Sequence, residues 1–501
     1  MAPLGSNYIA LIAVLIVGVV LGRIIQRRFL TPLRKVPGPF FASVTSIWLL
    51  YYDLAGLRTT TIHDLHRKYG PIVRLAPNEL SFSDESVVNQ LYSQQTAFMK
   101  APIYETMSLP PLGIFSLRNK AAHSQRRSLL SHAFFQQNVN DCMPIIEQKL
   151  DSLLRSFSCN TSQTVDVFLR FRLFAFDVVG ELFLGTSFGA SEAGTAPEYP
   201  HDVDRQFLFS GIKFNFPLLA TFLSQIPLSS MKTFTQGGER LAQFGNSAFQ
   251  EYIRRYGRDS KRRDLLTKVL VPQQKGKVMT DRETYVEVGN LVAAGTDTTS
   301  TTLTYLFWSL ARFPTWQSHV RKEMHEKLGR AAQGPYEMQA LNGLPVVDAV
   351  INEALRLYPA APASLPRVTP QEGWQWNAYT IPPEASTVVS MQCYTTQRDP
   401  IAFPDPDVFL PNRWLEAEPT TSMKTLFMPF SKGTRACIGK SLAMVELRLV
   451  VLGLLSRYEV KLPPQTTEES MEIRDHFLVM PKSGKCELIF EPLPDGALAK
   501  A

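Results

Sequence analysis

The strongest chemical signal in this sequence is Cys437, within FSKGTRACIG at residues 430–439. A free thiol titrates near pH ~8.5, so a metal-ligating cysteine needs nearby positive charge or oriented backbone N–H groups to ionise. Arg435 provides the charge, and the apolar periodicity of the following segment predicts a helix beginning just after Cys437, where anions are stabilised. Gly433 permits a turn, and Gly439 permits the close approach of a flat ligand. The segment therefore predicts a thiolate that binds a metal.

The simpler interpretation is that Cys437 fills the core, because an isolated cysteine usually behaves as a small hydrophobe. The length of the pattern outweighs it: five specified residues at fixed spacing should arise by chance on the order of once in ten thousand chains of this length. The pattern resembles the haem-binding loop of the cytochrome P450 family. In that family the cysteine thiolate ligates the iron of haem b and favours O–O cleavage. The resemblance, which extends over about residues 36–490, implies that Cys437 is the axial ligand and that three further loop residues line the cofactor: Phe430, Arg435 and Gly439.

A long helix is predicted between Thr280 and Pro314. Thr280 and Glu283 match a capping box at its start, and Pro314 ends the pattern. About thirty helical residues extend roughly 45 Å at ~1.5 Å per residue. Such a helix can cross a whole domain.

Within this helix, AGTDTT places Ala294, Gly295 and Thr298 on one face. Small residues there leave room for a ligand and present a hydroxyl to it. The family resemblance implies that Gly295 contacts the haem and that Thr298 and Asp297 are catalytic residues that deliver protons. The alternative is that the threonine hydroxyl bonds to the preceding turn and Asp297 is a solvated charge. The presence of Cys437 favours the catalytic interpretation.

Two further groups of residues acquire roles from the resemblance. Glu353 and Arg356, three apart on a short amphipathic helix, and Arg413 in FLPNRW are expected to form a buried charge triad that braces the haem loop. Cations expected to meet the haem propionates are His123, Arg127 and Arg367. Members of this family most often carry Trp where His123 stands, so His123 departs from the pattern.

Composition agrees with a large enzyme. The 501 residues are 45% hydrophobic and 11% aromatic, which is enough to bury a large core. No repeat or long linker divides the chain, and short strand-like segments occur at 72–75, 387–391 and 486–490. The expected fold is mainly α with small β-sheets, a single cytochrome P450 catalytic domain over residues 36–501. Five cysteines without a CxxC pair fit a reducing compartment.

The N-terminus predicts a membrane anchor over residues 1–35. Residues 2–22 carry no charged side chain, and a basic cluster follows them. A spanning helix needs about 20 residues, and positive charge after the apolar run places the following domain in the cytosol. A secretory signal has the opposite order. We therefore expect a single-pass transmembrane helix, and by resemblance the membrane is the endoplasmic reticulum.

The chain must obtain electrons from a partner. The sequence contains no flavin domain and no GxGxxG unit after a strand, so it cannot take electrons from NADPH by itself. Its net charge of +7 is modest, and without a nucleic-acid-binding motif it gives no reason to expect nucleic acid as a partner. The resemblance implies an NADPH–cytochrome P450 reductase as the electron donor, with cytochrome b5 as a second one. Lys432, Lys440 and Arg448 are the predicted docking cations.

The predicted activity is insertion of one oxygen atom into a hydrophobic small molecule, using O2 and NADPH. The resemblance is greatest to fungal enzymes that tailor secondary metabolites such as terpenoids, alkaloids or polyketides. It implies apolar pocket walls at 103–117, 207–216, Ala293, 359–366 and 477–479. Two alternatives remain open: a haem-thiolate isomerase, dehydratase or peroxygenase, and a haem sensor without turnover. Asp297 and Thr298 argue against the first alternative, because proton delivery serves oxygen activation. They discriminate only weakly against a sensor, which NADPH oxidation coupled to product formation would exclude.

Overall fold

The structure is a computed structural model that describes residues 4–158, 164–195, 199–271, 278–329, 334–383, 387–416 and 418–494. Cys159 lies outside these ranges. The α-helices in the described residues are α1 (Leu4–Phe29), α2 (Ile47–Leu54), α3 (Arg58–Tyr69), α4 (Glu85–Tyr92), α5 (Ile103–Thr106), α6 (Lys120–Ser131), α7 (Gln136–Asp141), α8 (Met143–Ser158), α9 (Val167–Leu184), α10 (Ala190–Ala193), α11 (Tyr199–Asn215), α12 (Pro217–Gln225), α13 (Ser229–Thr235), α14 (Gly237–Tyr256), α15 (Leu265–Leu270), α16 (Asp281–Arg312), α17 (Pro314–Leu328), α18 (Met338–Leu341), α19 (Pro345–Leu357), α20 (Cys393–Thr396), α21 (Thr421–Leu426) and α22 (Lys440–Leu455). The strands in the same ranges are β1 (Ile72–Ala76), β2 (Glu79–Phe82), β3 (Met99–Lys100), β4 (Thr164–Asp166), β5 (Arg367–Val368), β6 (Trp374–Trp376), β7 (Tyr379–Ile381), β8 (Val388–Ser390), β9 (Tyr458–Lys461), β10 (Ile473–Asp475), β11 (Val479–Pro481) and β12 (Glu487–Pro492).

The expectation of a mainly helical chain with small sheets is confirmed. The contacts divide the chain into two compact units, and the first comprises the residues up to Ala101 together with Ala363–Thr396. The first unit holds a five-stranded sheet in the order β1-β2-β8-β5-β3, in which β2 and β8 run parallel and the other pairs antiparallel. Side chains of α2, α3 and β1 form an apolar cluster beside it. The predicted domain boundary between residues 35 and 36 stays a prediction.

The second unit, Pro102–Pro362 with Gln397–Ala501, is built around α16. This helix has 32 residues and begins with the predicted capping box: the Thr280 side chain accepts from Glu283 N, and the Glu283 carboxylate accepts from Thr280 N. α16 ends at Arg312, just before Pro314, so the predicted end of the helix is confirmed; Pro314 itself starts the next helix. α16 packs against α9, α14, α19 and α22. Because α9 is apolar around most of its circumference, it is buried on nearly all sides within this core.

The predicted N-terminal helix exists as α1, and its apolar side chains are exposed, including Leu11, Leu15 and Val19. In the part of the chain that the structure describes, no helix has the length and apolar character needed to cross a bilayer. The prediction of a transmembrane helix at this position is therefore not supported, although the helix itself is present.

Candidate active site

Cys437 lies at the end of a tight loop that positions its sulfur ahead of α22. The backbone N–H of Cys437 donates to the carbonyl oxygen of Phe430 at 2.8 Å, which closes the loop. Ser431 and Gly433 take positive φ values of 57° and 65° inside it. A short 3-10 helix, Gly433–Arg435, leads to Cys437, and α22 begins at Lys440. The predicted turn at Gly433 and the predicted helix after the cysteine are both present.

Burial and the neighbouring polar groups act in opposite directions on the charge of the Cys437 sulfur, and burial is the larger effect. Burial raises the pKa of the thiol, while backbone N–H groups of Gly439 and Lys440 and the charges of Arg127 and Lys440 act in the opposite direction. The residue nevertheless keeps accessible surface, so a ligand can reach its side chain. A side chain at position 439 would lie 4.0 Å from the sulfur. A coordinated cation deprotonates such a thiol outright. This donor set fits a thiolate that ligates haem iron.

Two of the cations predicted to contact the haem, Arg127 at a propionate and Arg435 in the cysteine loop, donate to backbone carbonyls. Arg127, on α6, donates to the carbonyl of Ala436 at 2.8 Å, directly before the cysteine. His123 lies one turn earlier on α6 and is buried. Arg435 donates to the carbonyls of Leu117 and Arg118 at 2.5 and 2.9 Å. These bonds brace the cysteine loop and the segment before α6, and contacts with propionates stay predictions.

Arg367 belongs to the first unit, on β5, and it is buried. Its guanidinium donates to the carbonyl of Pro366 at 3.0 Å and lies 4.9 Å from the ring centre of Tyr92. Stacking of this kind immobilises the planar cation. Its predicted role at a propionate is not tested by these contacts.

The predicted oxygen-activation segment of α16 presents Ala294 and Thr298 on one accessible face. The Thr298 hydroxyl donates to the carbonyl of Ala294 at 2.7 Å, the back-bond that the alternative interpretation expects. This bond uses the only hydroxyl proton and leaves the oxygen able to accept. A side chain at Gly295 would meet Val179 of α9 at 2.5 Å, so close helix packing explains the glycine. Its predicted contact with haem stays a prediction.

Asp297 is buried, which makes the alternative of a solvated helix charge wrong. Its Oδ1 accepts from Nε of Arg172, on α9, at 2.6 Å. Burial raises the pKa of this carboxyl, and Arg172 opposes that shift. Arg172 carried no signal in the sequence, because it is 125 positions away and lies within an apolar run.

The three members of the expected charge triad lie together. Glu353 accepts from Arg356 Nε and Nη2 at 2.9 and 2.8 Å and from Arg413 Nε at 3.2 Å. Trp414 Nε1 and the backbone N–H of Leu410 also donate to it, each at 2.9 Å. Glu353 and Arg356 are fully buried. Removing either partner would therefore leave an uncompensated charge in the interior.

Gln397 connects this triad to the cysteine loop, and sequence reasoning missed it. Its side-chain amide donates to the carbonyls of Leu355 and Arg356 at 3.1 and 2.9 Å, and its oxygen accepts from the backbone N–H of Met428 at 3.0 Å. Met428 is two residues before Phe430. A buried glutamine that bonds only to backbone groups has no motif of its own, so spacing could not reveal it.

Glu287 is a second residue that the sequence did not identify. It is fully buried on α16, where Oε1 accepts from the backbone N–H of Ile114 at 2.7 Å and from Arg126 at 2.6 Å. Burial raises its pKa to about 7 despite Arg126. A side chain at Gly113 would strike Asn290 of α16, so glycine permits this close approach. The 103–117 segment is thus tied to α16.

Three of the predicted pocket walls meet through aromatic rings. Phe207 of α11 stacks on Phe477 at 4.2 Å between ring centres, and Phe115 meets Phe477 edge-on at 5.7 Å. Tyr104 contacts Phe115 at 5.4 Å. Phe477 has φ 86°, an uncommon conformation for an aromatic residue, in the turn between β10 and β11. These contacts form an aromatic cluster from distant segments.

Three features together define a haem-thiolate protein. They are the cysteine loop, the acid and alcohol side chains of Asp297 and Thr298 on α16, and the buried charge triad of Glu353 with its two arginines. The family model described as Cytochrome P450 matches residues 36–488. A cytochrome P450 monooxygenase of Aspergillus terreus, tazI, is 32% identical over 97% of this chain and 99% of its own length. Another from Emericella nidulans, stcB, is 30% identical over 93% and 90%. A tryprostatin B 6-hydroxylase of Neosartorya fischeri is 30% identical over 89% and 80%. This chain belongs to the cytochrome P450 family, and its cofactor is haem b.

Proposed function

We propose that this cytochrome P450 monooxygenase oxidises an apolar small molecule in a tailoring step of fungal secondary metabolism. The similarity to a tryprostatin hydroxylase and to other fungal monooxygenases over nearly the whole chain supports this substrate class. The observation that carries the chemistry is the set of N–H groups and cations around the Cys437 sulfur. Haem bound there would activate dioxygen for insertion of one atom into the substrate, the other leaving as water.

The residues of α16 would handle protons. The Thr298 hydroxyl oxygen can accept a hydrogen bond on the accessible face while its proton is held by Ala294. Asp297 is an acid kept out of bulk water, so it can take up and release a proton without general solvent access to the site. Proton supply of this kind is what an oxygen-activating enzyme needs and an isomerase does not.

The aromatic cluster would bind and orient the substrate. Its rings come from the 103–117 segment, α11 and the β10–β11 turn, and they offer flat apolar surface. Such walls recognise a hydrophobic molecule by burial and stacking and provide few polar anchors. The aromatic cluster therefore supports an apolar substrate with ring systems.

Electrons would come from a reductase that docks on basic residues around the cysteine loop. Lys440 lies over the Phe430 ring at 5.7 Å, and Lys432 donates to the carbonyl of Lys424. Arg448 pairs with Asp348 at 2.7 Å, which balances its charge and makes it the weakest of the three predicted docking cations. Reductase-supported turnover should fall as salt rises; turnover unaffected by ionic strength would contradict this docking mode.

Attachment to the endoplasmic reticulum, with the catalytic domain facing the cytosol, is part of the proposal. α1 exposes a run of apolar side chains followed by Arg27 and Arg28, and α12 exposes Leu218 and Phe222. An exposed apolar helix that ends in basic residues, as α1 does, favours a lipid surface. The protein should sediment with microsomes after a high-salt wash; release by salt alone would contradict apolar attachment.

The experiment for the function compares metabolites of a producing strain with and without this protein, followed by turnover of the accumulated precursor. Purified protein with reductase, NADPH and O2 should convert that precursor to a product one oxygen atom heavier. Conversion without NADPH or with peroxide alone would favour the isomerase or peroxygenase alternative. Haem binding without any product would favour a sensor.

A further inference from the structure

We propose that Arg172 is the positioning residue for proton delivery: it holds Asp297 by one carboxylate oxygen and leaves the second oxygen open. Asp204 pairs with the other arm of the same guanidinium, and its negative charge disfavours the ionised form of Asp297. The inference rests on the proposed monooxygenase function and adds two residues to it. Both lie on helices other than α16.

The geometry is a line of three charged groups on three helices. Asp297 lies on α16, Arg172 on α9 and Asp204 on α11. Arg172 Nε donates to Asp297 Oδ1 at 2.6 Å, and Arg172 Nη2 lies 3.5 Å from Asp204 Oδ2. The side chains of Asp297 and Arg172 are each 10% exposed, whereas that of Asp204 is 48% exposed. The line therefore runs from the surface of α11 to the buried acid.

The pairing with Asp297 uses only one arm of the arginine. A guanidinium beside a carboxylate usually donates two parallel bonds to both oxygens. Here the second arm points to Asp204, and Asp297 Oδ2 is buried with no hydrogen-bond partner among the described residues. An oxygen in this state is available to take up a proton. A two-armed pair would instead occupy both oxygens and hinder that step.

The neighbouring charges act on Asp297 with opposite signs. Arg172 and His201 favour its ionised form, and Asp204 disfavours it. From α22, the buried carboxyl Glu446 faces Thr299 and is not part of this line. Asp297 would take up one proton at Oδ2 from solvent water and release it toward Thr298, the next residue, for transfer to the reacting centre. This release restores the carboxylate that Arg172 stabilises, so no net charge accumulates.

The first test measures the protonation of Asp297 without turnover. Infrared difference spectra of the haem-loaded protein are recorded against pH, and the carbonyl stretch of protonated Asp297 is assigned by its loss in Asp297→Asn. In Arg172→Leu this band should titrate about 1–3 pH units higher than in the wild type, the usual influence of a paired arginine. In Asp204→Asn it should move the other way. A band at the same pH in all three proteins would overturn the proposal.

The second test follows the pH profile of coupling. Reductase-supported NADPH oxidation is measured with 7-ethoxycoumarin as an apolar probe, and hydrogen peroxide released per NADPH is recorded. Arg172→Leu should release more peroxide, with its pH profile displaced upward. Asp204→Asn should displace the profile downward. If both profiles match the wild type, the inference fails while the monooxygenase function stands; if the wild type oxidises no NADPH, the proposed function fails first.

The Arg172→Lys variant distinguishes the effect of the positive charge at residue 172 from the effect of the hydrogen bond that positions Asp297. Lysine keeps the cation but lacks the Nε arm, so the infrared titration should remain near that of the wild type while peroxide release rises. The carbon monoxide spectrum of each variant reports whether the thiolate-ligated haem is intact. Loss of haem in proportion to lost coupling, with no displacement of any pH profile, would show that Arg172 is merely structural.

Discussion

Replacing Gln397 by leucine should loosen the cysteine loop. The variant keeps the volume of the side chain but removes three hydrogen bonds, to Leu355 O, Arg356 O and Met428 N. Met428 N–H is buried, and an orphaned buried donor costs about 1–3 kcal/mol, while each lost bond costs about 0.5–1.5 kcal/mol. The leucine recovers part of this by apolar burial. We expect the free energy of unfolding to fall by about 2–4 kcal/mol.

The assay pairs urea unfolding with the loss of the thiolate carbon monoxide band on warming. Gln392 is the matched control, because it is also fully buried and bonds to Thr59 O and Thr395 Oγ1, but it belongs to the first unit. Gln397→Leu should lose the thiolate band before the fold is lost. Gln392→Leu should lose both together. If the two variants lose haem and fold in the same way, Gln397 does not connect the triad to the loop.

Cys437→Ser should keep the fold yet lose the carbon monoxide band of thiolate-ligated haem, since a hydroxyl is a poor anionic ligand; a retained band would remove Cys437 from the iron. Thr298→Ala should keep that band but divert electrons to hydrogen peroxide, and unchanged coupling would contradict its role. Glu287 has a pKa raised from 4.5 to about 7, so the folded state binds an extra proton between these values and stability falls as pH rises through that window. Glu287→Gln should remove this slope in unfolding titrations; an unchanged slope would show that another group titrates.

The local patterns were readable from the sequence because their chemistry depends on short spacing. A thiolate loop needs its glycines, cation and following helix within ten residues, and FSKGTRACIG contains them all. The capping box at Thr280 and Glu283 is likewise a contact between near neighbours. The strand-like segments at 72–75 and 486–490 correspond to β1 and β12 within one or two residues. Short-range sterics and hydrogen bonding determine such features, so no knowledge of the fold is needed.

Contacts between distant residues were decided only by the tertiary structure. Arg172 and Asp297, Gln397 and Met428, and Glu287 and Ile114 are pairs separated by 125, 31 and 173 positions. Nothing in the sequence spacing of such residues marks them as partners, because helix packing brings them together. At Gly295, too, sequence and tertiary structure answer different questions. The sequence placed this glycine on a helix face. Only the packing of α9 showed that Val179 occupies the space where a side chain would lie. Burial then sets the charge behaviour of Asp297 and Glu287, since desolvation depends on every surrounding element.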